Sequence, residues 1–194
     1  MSGLKNKNEG FWEAIGKWDV VMLSETWVDE KDWKGLKRKL PKGYVWTMQE
    51  ARKEHERGRA MGGMVSGVKK ELMGNERVEE RDEKQEGVMV RRIKVGKERV
   101  AIVCVYRRRG EEEGWRVLRE WMEERNEELV LIGGDLNAWT GELGGEIWDE
   151  ESETSRRNSK HREIDREVKT LLNLLGEEGW FICNGNIRGD EEGL

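Results

Sequence analysis

Short apolar runs alternate with polar stretches along the chain, and the spacing within each run indicates the element it forms. Phe11, Trp12, Ile15 and Trp18 recur at helical intervals and lead into the apolar run Val20 to Leu23, which predicts a helix feeding a short buried strand. Trp33 to Leu40 predicts a basic helical turn ended by Pro41 and Gly43. Tyr44 to Met48 and Gly63 to Val68 read as strands on either side of a polar stretch, and Val88 to Val95 and Arg99 to Tyr106, parted by Gly96-Lys97, predict a β-hairpin. Trp115, Leu118, Trp121 and Met122 line one face of an amphipathic helix whose other face is rich in Glu. Leu129 to Ile132 predicts a buried strand running into a glycine-rich turn. Val20 to Ser24 and Val130 to Gly133 are expected as neighbouring central strands, because both are apolar and flanked by amphipathic helices. The polar stretch Glu142 to Arg162 then precedes a helix bearing Ile164, Val168, Leu171, Leu172 and Leu175, and Trp180 to Cys183 predicts a last strand. Strands mixed with helices argue a layered α/β fold.

Length and composition narrow the class. The 194 residues suit one domain. Charged residues make up 40%, but 36 basic and 41 acidic side chains nearly cancel to a net charge of −5. The combination of low hydrophobicity and large net charge that marks disorder is therefore absent. The longest apolar run, Val100 to Tyr106, is far short of the roughly 20 residues of a membrane helix. The N-terminal residues lack the apolar stretch of a signal peptide, so an intracellular protein is expected, with the nucleus a candidate compartment. Cys104 and Cys183 lie inside apolar segments without paired spacing, and are expected as buried, inert thiols.

Charge is spread unevenly. Lys34 to Lys70 holds 11 basic and 3 acidic residues, whereas Glu111 to Glu128 holds 8 acidic and 3 basic. Solvated faces account for such runs in general. Arg52, Lys53, Arg57 and Arg59, however, cluster in a predicted loop, where phosphate-contacting residues commonly sit.

Three places carry candidate chemistry. Glu25 follows the run Val20 to Ser24, and open α/β sheets present ligand groups at the C-terminal ends of their strands; a solvated strand-end carboxylate is the plainer alternative. Asp135 and Asn137 follow Gly133-Gly134 two residues apart, so on an extended backbone their side chains point the same way; an Asx turn is the alternative. An EF-hand is excluded, because Thr140 stands where the loop requires Gly and a strand rather than a helix precedes it. Tyr106 closes the run Val100 to Val105, where its phenol could donate to a phosphate oxygen or simply pack. An acid for a hard cation, an Asp/Asn pair and a phenolic donor are the parts that metal-assisted phosphoester hydrolysis requires. His55 and His161 lie in charged, exposed stretches outside any such context.

Ser24-Glu25-Thr26-Trp27, Gly62-Gly63 opening a strand, Val105-Tyr106 and Gly134-Asp135-Leu136-Asn137-Ala138 occur in the order seen in the endonuclease/exonuclease/phosphatase superfamily. Across nearly its whole length the chain resembles that superfamily, and in particular the endonuclease domains of non-LTR retrotransposons. The resemblance implies a two-sheet α/β sandwich flanked by helices, formed by residues 1–194 as a single incomplete domain whose C-terminal strands are missing. It implies Mg²⁺ on Glu25, a scissile phosphate touched by Tyr106, and an attacking water positioned or deprotonated by Asp135, which Asn137 orients. The basic residues Arg52, Lys53, Arg57 and Arg59 would contact nucleic acid, DNA in the first instance. The family's first-strand Asn would fall upstream of Met1 and its Ser-Asp-His motif beyond Leu194, so the resemblance implies weak or no cleavage by these residues alone. Two other readings stand beside a Mg²⁺-dependent endonuclease. One is a non-catalytic remnant or nucleic-acid-binding module, and the other is a phosphatase acting on a phosphorylated lipid or sugar.

Overall fold

Asn8 turns the chain into its first helix by accepting a hydrogen bond from the Phe11 amide at 3.0 Å. The helix, α1 (Glu9–Ile15), buries Trp12 and Ile15 and ends at Gly16. Trp18, expected on the same face, lies beyond that cap and is 68% exposed. A computed structural model describes residues 3–53, 60–73, 86–123, 129–145, 157–187 and 190. After α1 come β1 (Val20–Ser24), α2 (Glu30–Leu36), β2 (Tyr44–Gln49), β3 (Met64–Lys69), β4 (Val88–Val95), β5 (Glu98–Tyr106), α3 (Glu112–Glu123), β6 (Leu129–Asp135) and α4 (Glu167–Glu178). Among the described residues the architecture is mixed α/β, with two small sheets and four helices.

The chain gathers into two compact units, Met1–Tyr106 with Asn126–Asp135, and Arg107–Arg125 with Leu136–Leu194. Both sheets belong to the first. In one, β3 lies between β1 and β2 and is antiparallel to each, with Val68 opposite both Val20 and Val45. In the other, β4 and β5 form the expected antiparallel hairpin and β6 runs parallel to β5. The sheets meet through β1 with β5 and β6, and through β3 with β4. Leu4, Trp12, Ile15, Val21, Val28 and Val65 are among the residues of a core beneath the first sheet.

The expectation that Val20 to Ser24 and Val130 to Gly133 neighbour one another is not met, because β1 and β6 stand at the edges of different sheets. An apolar run reports that a strand is wanted by the core and does not name its ladder partner. Nor is β6 buried. Leu129 and Leu131, two apart and therefore on one face of the strand, are 60% and 49% exposed, so the described residues leave that face of β6 uncovered.

In the second unit, α3 buries Trp115, Val117, Leu118, Trp121 and Met122, and α4 buries Val168, Leu171 and Leu174. The two helices are in contact, and Arg119 on α3 reaches Glu177 on α4 at 2.7 Å. Ile164 falls outside α4 and is exposed, because the Asp165 carboxylate accepts from the Glu167 and Val168 amides and starts the helix after it. Trp180 to Cys183 forms no strand. Its Trp180 amide closes the end of α4 on Leu175, and its Ile182 amide bonds Gly144. Among the described residues no helix is long and apolar enough to cross a membrane.

The second helix begins earlier than its apolar residues suggest, because Asp29 caps it and accepts from the Asp32 amide at 3.0 Å. That bond, with the Lys53 ammonium 3.1 Å away, holds the Asp29 carboxyl at about 2, below the ordinary 3.8. A depressed carboxyl stabilises the fold above its unfolded pKa and ceases to do so as pH falls through the folded value. Asp29→Ala should therefore cost about 1 kcal/mol near neutrality, the usual loss of a cap. Urea midpoints of the two proteins should converge as the pH approaches 2. A gap that persisted at pH 2 would show that the carboxylate was not the stabilising group.

Candidate functional site

The turn after β1 is clamped from both sides. Gly63 and Gly62 carbonyls accept from the Thr26 and Trp27 amides at 3.1 and 3.0 Å, while the Gly3 and Leu4 amides donate to Glu25 and Thr26 carbonyls at 3.0 and 2.9 Å. Gly63 permits this approach, since its φ is +76° and a Cβ there would lie 2.8 Å from that of Ala51. Held this way, Glu25 and Trp27 adopt left-handed backbone, with φ of +56° and +55°. Thr26 between them is fully buried, and its hydroxyl oxygen has no hydrogen-bond partner. The Trp27 indole donates to Glu25 Oε2 at 2.6 Å, fixing one carboxylate oxygen of a half-buried side chain. A hydrogen bond to a carboxylate is of the stronger, charge-assisted kind.

Tyr106 and Asp135 end β5 and β6 and stand opposite each other in the parallel ladder. Tyr106 is half-buried and Asp135 exposed. Glu25 follows β1, the strand of the other sheet that touches both β5 and β6. The first unit thus supplies Glu25, Tyr106 and Asp135 from the C-terminal ends of three strands, as their sequence positions suggested.

Asn137 belongs to the second unit. Its φ is +49°, and its side-chain amide donates to the Arg107 carbonyl oxygen at 2.8 Å. The residue after Tyr106 and the residue two beyond Asp135 are therefore tied together. Arg107 itself is 1% exposed. Its guanidinium donates to the Leu136 and Glu111 carbonyls at 2.9 and 3.2 Å, bonds Glu167 Oε2 at 2.7 Å, and lies 4.2 Å from the Trp115 ring centroid. A Cβ on Gly114 would sit 2.3 Å from Arg107 Cγ, so that glycine makes room for the stem. Nothing in the run Arg107-Arg108-Arg109 indicates which arginine is swallowed, and sequence reasoning missed it. Trp27 lay inside a motif that was recognised, but its bond to Glu25 requires the left-handed turn and was missed as well.

The basic loop is less available than its charge suggests. Lys53 is engaged with Asp29 and Arg52 with Glu86, the latter at 2.7 Å. Arg57, Arg59 and His55 lie outside the described residues. His161 is exposed, and its ring meets that of Trp139 edge-on at 5.2 Å. Burial pushes the Cys104 thiol up to about 12, in keeping with an inert thiol, whereas Cys183 is only half-buried.

As a donor set, Glu25 and Asp135 offer the hard carboxylate oxygens that Mg²⁺ takes. Among the described residues no three or more His, Cys, Asp or Glu side chains gather into a metal cage. Compared with protein-family models and with curated proteins, the chain matches none.

Proposed function

We propose that the chain is a Mg²⁺-assisted phosphodiesterase of the endonuclease/exonuclease/phosphatase type, with a two-sheet sandwich fold and nucleic acid, DNA first, as its substrate. One observation carries the reading. Among the described residues, the non-glycine positions with left-handed backbone are Glu25, Trp27 and Asn137, and all three fall in the two motifs singled out for chemistry. Asn adopts this conformation readily, whereas Glu and Trp do so at a cost of order 1–2 kcal/mol each. Strain of this kind persists where the surrounding structure imposes it, and it clusters at functional sites. The pairing of Tyr106 with Asp135 and the contact of β1 with both their strands support the same reading.

Glu25, steadied by Trp27, is the residue assigned to hold Mg²⁺, with Asp135 within the same donor class. When bound, the ion would polarise a phosphoryl oxygen and offset the charge that builds there. The Asp135 carboxylate holds the attacking water and takes its proton. The Tyr106 phenol donates to a non-bridging phosphate oxygen. Asn137, tied to the Arg107 carbonyl, fixes the course of the chain leaving Asp135.

Supercoiled plasmid supplies the test. The chain should nick it slowly in Mg²⁺ and stop in EDTA. Asp135→Ala should lower the rate by about 10²-fold or more, the usual loss of a proton-transfer group, and Glu25→Gln should raise the Mg²⁺ needed for half-maximal rate. Nicking indifferent to both substitutions would overturn the assignment. Hydrolysis of a phosphomonoester alone would favour the phosphatase reading, and DNA binding without any cleavage the binding module.

A further inference from the structure

The second unit carries an exposed aromatic surface that the phosphodiesterase reading does not use. Trp139 keeps 46% of its surface exposed although it is among the largest apolar side chains. It is held on its backbone, where the Trp139 carbonyl accepts from the Asp165 amide at 3.2 Å and the adjacent Thr140 bridges Ile164. Its ring is also framed. His161 meets it edge-on at 61°, and the Arg109 guanidinium lies over the ring, 5.6 Å from its centroid. Arg109 is anchored in turn by the Asp165 carboxylate at 2.8 Å, a group only 8% exposed. The indole is thus a pre-positioned plane with a cation over one face.

Arg109 also lines an open cleft of about 530 Å³ shared with Arg166 and Lys169. Both of those side chains are exposed. The N-terminus of α4 borders this cleft, but its first amides are already taken by Asp165, so any anion there would be held by side chains. Asp165 offsets Arg109, leaving Arg166 and Lys169 to set the sign of the cleft against the Glu167 carboxylate, which is turned to the buried Arg107. A flat aromatic group next to a cationic cleft matches the two halves of a nucleotide, because a base stacks on an aromatic face and its phosphate meets Arg and Lys.

We propose that Trp139 stacks an unpaired nucleobase, and that Arg109, Arg166 and Lys169 hold the phosphate beside it. The proposal rests on the nucleic-acid reading above and adds a preference for single-stranded or frayed substrate.

Binding is measured in EDTA, where cleavage plays no part, by anisotropy of a labelled oligothymidylate, an abasic oligonucleotide of equal length and a duplex. Trp139→Ala should weaken oligothymidylate binding about tenfold, within the range of base–aromatic stacking. The abasic strand and the duplex should bind this variant as they bind the wild type, and Trp139→Phe should restore most of the loss. Arg166→Ala and Lys169→Ala should weaken oligothymidylate and abasic strands alike and flatten the salt dependence. Plasmid nicking is followed in parallel with Asp135→Ala, so failure of the hydrolase reading leaves the stacking result standing, and the reverse. Unchanged oligothymidylate binding by Trp139→Ala, an equal loss for abasic strand, or no binding to any strand would overturn the platform. So would capture of a polypeptide at Trp139 in place of the oligonucleotide.

Discussion

Gly134→Ala should destabilise the first unit by about 3 kcal/mol or more, near the top of what single substitutions do. The position has φ of +136°, and a Cβ there would lie 1.9 Å from the Val105 carbonyl oxygen and 2.9 Å from its carbon and nitrogen. Val105 cannot retreat, because its strand pairs with β4 through Val88 on one side and with Gly134 on the other. Relief must come from β6, which would lose its register and carry Asp135 away from Tyr106. Nicking should therefore vanish although no reacting atom has been removed. Gly133→Ala is the control, since a Cβ there meets nothing within 4 Å. Urea midpoints that fell equally for both variants would show that the close approach to Val105 does not govern this ladder.

Glu167→Ala is expected to cost about 3 kcal/mol, the low end for removing one member of a buried ion pair, because Arg107 is fully buried while the Glu167 side chain is 23% exposed. The Arg107 side chain is fully buried and, among the described residues, its acidic partner is the Glu167 carboxylate 2.7 Å away; Glu167 also accepts from the Trp115 indole at 3.3 Å. Without the carboxylate, the guanidinium keeps two backbone carbonyls and a ring face but no counter-charge. Converting both partners together, Arg107→Met with Glu167→Leu, should recover most of the loss, because no charge is then left buried. A double variant no more stable than Glu167→Ala would place the cost in packing around Trp115 and not in electrostatics.

What was legible in the sequence is what is settled locally. The hairpin Val88 to Tyr106 reads correctly because both strands and the Gly96-Lys97 turn lie within one stretch of chain. The apolar face of α3 reads correctly because helical spacing is a property of neighbours. Errors came wherever a distant partner decides. The apolar run of β6 suggested a strand covered on both faces, yet coverage depends on what packs above and below the sheet, and among the described residues the face bearing Leu129 and Leu131 is left open. Trp180 to Cys183 has strand composition but no ladder. For the site, strand-end placement picked out Glu25, Tyr106 and Asp135. The left-handed turn and the indole on Glu25 depend on backbone clamps from Gly3 and Gly62-Gly63, which no local pattern announces.

The buried thiol of Cys104 gives the molecule a built-in reporter of its own opening. Cys104 lies on β5, the middle strand of its sheet, between Met89 and Gly133. Burial pushes its pKa up to about 12, so thiolate is scarce near neutrality, and alkylation proceeds through the thiolate. Modification at that position must therefore await separation of β5 from its neighbours. Its rate, set against the faster rate at the half-buried Cys183, becomes a clock for that event under conditions where the rest of the fold is intact.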